Sequence, residues 1–160
     1  MIEPHGGRLV DLHITPDSIP ADLPSVSLDS REAGDLEMMG SGALSPLTGF
    51  MCADDYTGVL ECMRLAGGLV FSLPVTLSRK AGDPEVVPGD VAALRRNGAL
   101  LGLIRVREVY RRDRVREAEM TLLTSDPAHP GVEYLNGLSD TCIGGDVECL
   151  DLRKSRPFRE

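Results

Sequence analysis

The dipeptide Asn97-Gly98, which lies between two apolar segments, is the feature that most restricts how this chain folds. Asn-Gly readily adopts the positive φ angles of a two-residue hairpin turn, so the flanking segments are predicted to pair as antiparallel strands. The second segment alternates at its end, which places Ile104 and Val106 inward and Arg105 and Arg107 outward.

Further short strands are predicted around this hairpin, and the one at residues 69–77 is rich in β-forming residues. They cover residues 8–13, 69–77, 119–123 and 143–150, and a turn leading into a strand covers residues 86–94. Pro74 marks an edge or a bend in the second of these strands. Val147 is expected to point inward in the last one.

Two helices are predicted in the first half of the chain. Asp29 and Glu32 have the spacing of a capping box, and the apolar stripe that follows, ending at Gly40, consists of Ala33, Leu36 and Met39. The second helix is expected to be capped by Asp54 or Asp55 and to end at Gly67-Gly68. Its apolar face consists of Tyr56, Val59, Leu60 and Met63. A third, short helix is expected to begin at Pro130.

Early helices followed by short, turn-linked strands predict an α+β fold that contains a small closed or half-closed β-barrel with two to three short helices. The pattern alone leaves a barrel and a sandwich open. At 160 residues the chain is expected to form one domain over residues 1–150, with a polar tail at residues 151–160.

The charge and hydropathy of the chain exclude some classes of function. The net charge of −8 argues against a surface built to hold nucleic-acid phosphates. No apolar run is long enough for a transmembrane helix, and no secretory signal is visible, so a cytoplasmic location without membrane association is expected.

Six arginines nevertheless fall within one short segment, and they are Arg105, Arg107, Arg111, Arg112, Arg114 and Arg116. We expect a solvated face on which these side chains pair with Glu108, Asp113 and Glu117. An anion-binding or RNA-binding patch is the alternative that the preference for arginine leaves open.

The four cysteines form no C-x-x-C pair, so neither a zinc site nor a redox motif is predicted. They are expected to be free thiols, although the sequence leaves a Cys142–Cys149 pair open. Cys62 lies on an apolar helical segment and is expected to be buried in the core.

Several ordered segments resemble a known family. The main one runs from Gly42 to Met51 (GALSPLTGFM), and the others are Pro4-His5-Gly6-Gly7, Asp55-Tyr56, Met63-Arg64-Leu65, Glu117-Ala118-Glu119, and Thr124 to Val132 with Asp126, His129 and Pro130. In this order they resemble the N-terminal domain of ATP sulfurylases (sulfate adenylyltransferases) over nearly the whole chain. The resemblance implies that the barrel is of the PUA-like type.

The resemblance also implies a link to sulfate assimilation, since the full enzymes of this family join sulfate to ATP to give adenosine 5′-phosphosulfate and pyrophosphate. Their catalytic half follows this domain and binds ATP through a Gln-x-Arg-Asn-Pro…His segment and a Gly-Arg-Asp segment. Here Arg96-Asn97 is followed by Gly98, and no Gly-Arg-Asp occurs. We therefore expect no catalysis by this chain alone, no catalytic residue, no cofactor and no metal.

The expected role is to pack on a catalytic domain and to help oligomers assemble. The candidate interface or structural residues are His5, Gly6, Gly7, Ser45, Pro46, Leu47, Gly49, Phe50, Arg64, Asp126, His129 and Pro130. Leu47, Phe50 and Met51 are expected to lie in exposed loops as the centre of this interface. The alternative function is a stand-alone PUA-like module that binds RNA or a small ligand.

Three of these positions admit a chemical role as well as a structural one. His5 either touches a ligand or the catalytic domain, or its imidazole fixes the N-terminal arm to the barrel, which we favour. Asp126 and His129 either form an acid–base dyad or stabilise a turn, and we expect the turn. Ser45 lacks the Gly-x-Ser-x-Gly frame of a nucleophile elbow and is not expected to act as one.

Overall fold

A computed structural model of the chain describes residues 3–16, 19–20 and 22–151. A 3-10 turn (His5–Gly7) comes first. The strands are β1 (His13–Ile14), β2 (Ser25–Ser27), β3 (Gly49–Phe50), β4 (Val91–Arg96), β5 (Ala99–Arg111) and β6 (Thr141–Leu150). The helices are α1 (Ser30–Gly40), α2 (Ala53–Cys62), α3 (Arg114–Leu122) and α4 (Pro130–Asn136). The predicted tail, after Asp151, lies outside the described residues.

One mixed sheet organises the domain, with the strand order β1-β6-β5-β4-β2 and with β3 paired to β6. The β4–β5 and β5–β6 pairs are antiparallel, whereas β1 joins β6 and β2 joins β4 in parallel. The predicted α+β class is therefore confirmed. The described residues contain four helices rather than two to three, because α3 and α4 are inserted between β5 and β6.

The hairpin predicted from Asn97-Gly98 is confirmed. Arg96 pairs with Ala99 across the turn, and both turn residues have positive φ angles, 49° at Asn97 and 82° at Gly98. Ile104 and Val106 are buried, as the alternation predicts, and Val147 opposes Ile104 from β6.

The main core fills the space between the sheet and helices α1 and α2. Its most completely buried apolar side chains are Val26, Leu36, Met39, Leu77, Leu94, Ile104 and Ile143. A second, smaller core lies between α3 and α4 and is formed by Ala118, Val132 and Leu135. The inserted helix pair therefore has its own apolar contact and rests on the main body as a separate layer.

The start of α1 follows the predicted capping box. The Asp29 carboxylate accepts from the backbone N–H groups of Arg31 and Glu32, and the Glu32 carboxylate accepts from the N–H of Asp29. Glu32 is buried, and the ammonium group of Lys80 lies 2.8 Å from its Oε2. The cap thus joins α1 to the segment that precedes β4.

This cap predicts a pH-dependent contribution to stability. Burial by itself raises the pKa of Asp29, but the hydrogen bond from the Glu32 backbone and the charge of Lys80 outweigh it and hold that pKa below its ordinary value of 3.8. Because the pKa is lower in the folded chain, the contribution is present above the unfolded-state pKa. It is lost as the pH falls through the folded-state pKa.

We expect Asp29→Ala to lower the free energy of unfolding by about 1–2 kcal/mol at pH 7. The difference from wild type should shrink below about pH 4, where the unfolded-state carboxylate begins to protonate. Urea unfolding between pH 7 and pH 3 measures both effects. Asp29→Ser keeps a capping oxygen without the charge, so its loss at pH 7 should be smaller and should also shrink as the pH falls. An equal loss at every pH for Asp29→Ala would contradict the prediction.

Helix α2 differs from its prediction at both ends. Cys52, rather than Asp54 or Asp55, is the N-cap residue, and its side chain makes no capping hydrogen bond. The helix ends at Cys62, because Met63 adopts a left-handed conformation with a φ of 53°. Tyr56, Val59 and Leu60 are buried as predicted, but Met63 and Cys62 are exposed, so both were wrongly assigned to the core.

The strand predicted at residues 69–77 is wrong. This segment contains one isolated bridge, between Arg64 and Val70, and a second bridge, between Ser78 and Cys142, comes directly after it. Its backbone instead bonds to other irregular segments: the N–H of Phe71 donates to the carbonyl of Met63, for example. Pro74 removes a donor in the middle, which explains why a continuous ladder does not form.

Residues 119–123 are predicted as a strand, but residues 119–122 belong to helix α3. Asp113 caps this helix by accepting from the N–H of Arg116, and the helix ends where Leu123 takes a left-handed φ of 57°. The prediction considered only the last part of the helix and missed its start. The strand predicted at residues 8–13 is reduced to His13–Ile14, whereas Pro130 does open α4, as expected.

None of the helices in the described part of the chain is both long and apolar enough to cross a membrane.

Candidate functional site

The N-terminal turn is tied to the rest of the domain through His5. Its Nε2 donates to the carbonyl oxygen of Val70 at 2.7 Å. Gly6 has a φ of 74°, and a Cβ at this position would lie 3.0 Å from both the Pro46 and the Leu69 side chains. Gly6 therefore packs closely against other segments of this domain, which supports the structural interpretation of His5.

Ser45 stabilises the loop that follows α1. It is buried, its hydroxyl donates to the carbonyl of Gly42 at 2.6 Å, and the same oxygen accepts from the N–H of Val10 at 3.0 Å. The Ser45-Pro46 peptide bond is cis. Because its hydroxyl both donates to and accepts from the backbone, the Ser45 side chain links the N-terminal arm at Val10 to the loop that follows α1.

Leu47, Phe50 and Met51 do not lie in exposed loops, which corrects the expectation for them. Their exposed fractions are 7%, 2% and 2%, and all three belong to the main core. Gly49 and Phe50 form strand β3, which pairs with Asp146 and Gly145 of β6. The apolar residues of this loop bind the domain together, so they cannot form the centre of an interface with another domain.

Asp126, His129 and Pro130 form a local turn at the start of α4. The Asp126 carboxylate accepts from the N–H of Ala128, and the His129 Nδ1 accepts from the N–H of Gly131 at 3.1 Å. Asp126 and His129 are joined through the backbone, with the His129 N–H donating to the Asp126 carbonyl. These contacts support the turn rather than the acid–base dyad.

The arginine-rich segment is mostly neutralised by carboxylates of this chain. Arg107 lies near Asp146, Arg116 contacts Glu61, and Arg111 and Arg114 share Asp140. Two of the expected partners do other work: Glu108 accepts from the N–H of Ala53, and Asp113 caps α3. The third, Glu117, does pair with an arginine of the segment, Arg112. These ion pairs weaken the case for an RNA-binding patch.

Arg112 is buried rather than solvated, which corrects the expectation for this member of the segment. Its Nε donates to the Cys142 sulfur at 3.0 Å, and its Nη2 donates to the hydroxyls of Thr76 and Ser78 at 2.9 and 3.0 Å. Its Nη1 lies 3.7 Å from the buried Glu117 carboxylate and has no hydrogen-bond partner. We call these five residues the Arg112 cluster.

The Arg112 cluster is closed by two tyrosines from the main body. The Tyr56 hydroxyl donates to Glu117 at 2.8 Å, and its ring packs against Tyr110 with 5.6 Å between the centroids. Burial raises the pKa of both phenols and of the Cys142 thiol, so all three stay protonated at neutral pH. The ion pair of Arg112 and Glu117 in this cluster holds α3 against the sheet and α2. The buried Cys142 thiol is unreactive.

The remaining cysteines give no sign of a disulfide or a metal site. All four thiols are free, and burial raises the pKa of Cys149 to about 12. Within residues 3–16, 19–20 and 22–151, no group of three or more His, Cys, Asp or Glu side chains is placed to hold a metal ion.

The surface feature that best fits a binding role is a groove of about 390 Å³ beside α1, which we call the α1 groove. One wall is formed by Arg31, Asp35 and Met38 of α1, and the other by residues 70–75, with His5 and Leu44 completing the lining. Among the candidate residues, the structure therefore brings His5, Gly6 and Pro46 together near one groove. Arg64 adjoins this region through its bridge to Val70, whereas the turn at Asp126 belongs to the inserted helix pair.

The mixed sheet, the flanking helices and the inserted helix pair define an α+β domain of the PUA-like class. A family model described as a PUA-like domain matches residues 2–152, and the chain belongs to that family. More particularly, it matches the N-terminal part of sulfate adenylyltransferases, in agreement with the resemblance seen in its sequence motifs.

Two curated relatives show the extent of this match. The sulfate adenylyltransferase of Symbiobacterium thermophilum is 46% identical over 99% of this chain and 42% of its own length. That of Chloroflexus aurantiacus is 41% identical over 99% of this chain and 41% of its own length. The chain thus spans about two fifths of the relatives it matches.

A solved structure supports the fold. The chain superposes on a hexameric APS kinase from Thiobacillus denitrificans with a TM-score of 0.69 and 28% identity, covering 100% of this chain and 28% of that one. In this case too, the match covers only part of a longer chain.

Proposed function

We propose that this chain is the non-catalytic N-terminal domain of a sulfate adenylyltransferase, and that it packs on and helps assemble the catalytic part. The observation that carries the proposal is the 46% identity to the Symbiobacterium enzyme over nearly all of this chain but only 42% of that enzyme. The buried side chains of Leu47, Phe50 and Met51 and the Arg112 cluster support a rigid structural unit rather than a reaction centre.

The described side chains support a structural rather than a catalytic role for this chain. Each candidate acid, base or nucleophile already makes a hydrogen bond within the domain. Ser45 bonds to the backbone of Val10 and Gly42, and His5 to the carbonyl of Val70. Asp126 accepts from the N–H of Ala128, and His129 from the N–H of Gly131. Arg112 and Glu117, the most buried ionised pair, hold α3 to the sheet. The hexameric neighbour is in keeping with a role in assembly.

The proposal predicts no sulfate adenylyltransferase activity from the purified chain, but activity when it is combined with the rest of the Symbiobacterium enzyme. The assay is pyrophosphate-dependent formation of ATP from adenosine 5′-phosphosulfate. A chimera in which this chain replaces the matching portion of that enzyme should be at least tenfold more active than the same enzyme lacking the portion. Activity from the chain alone, or no gain in the chimera, would contradict the proposal.

A further inference from the structure

The α1 groove is bordered by large apolar side chains that water partly reaches. Met38 is 42% exposed, Val70 is 51% exposed and Leu73 is 49% exposed, although all three line one concavity. Scattered exposed apolar residues are ordinary, but a concave group of them marks a surface that another molecule covers.

The segments that carry the family resemblance converge on this groove. His5 comes from the N-terminal Pro4-His5-Gly6-Gly7 segment, and Leu44 comes from the loop that follows α1. Val70 is held by its bridge to Arg64, whose Nη1 also donates to the carbonyl of Gly68 at 2.9 Å. Three segments that are far apart in the sequence thus build one surface.

The charge pattern of the groove fits a protein segment better than a small anion. Its only ionisable lining residues, among those described, are His5, Arg31 and Asp35. The Arg31 guanidinium is already stacked over the ring of Tyr134, with 5.2 Å between its Cζ and the ring centroid. An apolar centre with a few charged groups beside it is the composition of a domain interface.

We infer that the α1 groove receives the part of the longer chain that lies beyond this domain in its sulfate adenylyltransferase relatives. The inference rests on the proposed function. Since this chain matches only 42% of the Symbiobacterium relative, more than half of that protein lies outside the match and needs a surface on which to pack. The apolar side chains of that part would cover Met38, Val70 and Leu73.

Isothermal titration of this chain into the separately produced remainder of the Symbiobacterium enzyme tests the inference. We expect Met38→Lys and Leu73→Lys each to weaken binding at least tenfold, because each places a charge in the apolar centre of the contact. Both positions are partly exposed, and a lysine near the end of α1 suits the helix dipole, so both variants should fold. Thermal unfolding of each variant checks this.

Leu123→Lys is the matched control. Leu123 is 87% exposed and lies outside the groove, so this variant should bind within about twofold of wild type. Wild-type binding that survives both groove substitutions, or an equal loss in the control, would overturn the groove assignment and leave the proposed function standing. Absence of wild-type binding would contradict the proposed function itself.

Sedimentation of the chain by itself tests whether a second copy of the chain, rather than the remainder of the enzyme, occupies the groove. If the chain self-associates and Met38→Lys makes it monomeric, the groove receives a second copy, and the inference is wrong. If the chain sediments as a monomer while binding the remainder of the enzyme through the groove, the inference is confirmed.

Discussion

Replacing Arg112 with methionine is expected to lower the free energy of unfolding by about 3–5 kcal/mol, the range for removing one partner of a buried ion pair. The Glu117 carboxylate would remain buried with only the Tyr56 hydroxyl as a donor. Thr76, Ser78 and Cys142 would each lose the hydrogen bond that the guanidinium donates. Methionine fills much of the same volume, so the loss should reflect polar contacts rather than a cavity.

The adjacent arginine provides the control for this measurement. Arg111 carries the same charge, but its side chain is 79% exposed and pairs with Asp140 at the surface. Arg111→Met should change the free energy of unfolding by no more than about 1 kcal/mol in a urea titration. A similar cost at both positions would mean that the Arg112 cluster contributes no more than a surface pair.

A double variant identifies the cause of the Arg112 effect. With Arg112→Met and Glu117→Met together, no uncompensated charge remains buried, and part of the lost stability should return. The double-mutant cycle should give a coupling energy of at least about 1 kcal/mol, the size found for residues in contact. Strict additivity of the two changes in the free energy of unfolding would rule out the ion pair as the main cause of the Arg112→Met effect.

Substituting alanine at Gly49 is expected to destabilise the domain by about 3 kcal/mol or more, because the site has no room for a side chain. A Cβ there would overlap the carbonyl oxygen of Gly145 and approach the Cα of Asp146 to 2.8 Å. Both are backbone atoms of β6, so neither can rotate away. Strand β3 would have to separate from β6, and the neighbouring Phe50 would leave the core.

Gly34→Ala serves as the comparison for Gly49→Ala. Gly34 lies inside α1, and a Cβ there would meet nothing within 4 Å. Since alanine favours the helix over glycine, this variant should raise the free energy of unfolding by about 0.5–1 kcal/mol. Equal, small effects at both glycines in a thermal or urea denaturation would contradict the steric argument for Gly49.

Local signals in the sequence predicted the elements that depend on neighbouring residues. The capping box of Asp29 and Glu32 formed because its partners are three residues apart, and the Asn97-Gly98 hairpin formed because its turn angles are a property of those two residues. The alternation of Ile104 and Val106 predicted the inner face of β5 for the same reason. Where short-range contacts decide the structure, the sequence was sufficient.

Predictions failed where distant partners decided the outcome. Arg112 was expected at the surface, yet Thr76, Glu117 and Cys142 bury it, and they come from three separate segments of the chain. Residues 119–123 were predicted as a strand, but the helix that Asp113 begins extends through most of them. Leu47 and Phe50 were expected to face a partner, because no sequence pattern near them indicates that β3 pairs with β6.

The motif order by itself determined the family of this protein, and hydrophobic periodicity determined its α+β class, because both are written in residue types and their spacing. Only the tertiary structure decided which residues are buried, since the loop around Phe50 closes the core and the insertion of α3 and α4 encloses Arg112. It alone also brought His5, Leu44 and Val70 to one groove. Contacts between residues so far apart arise from packing, and no local sequence pattern encodes them.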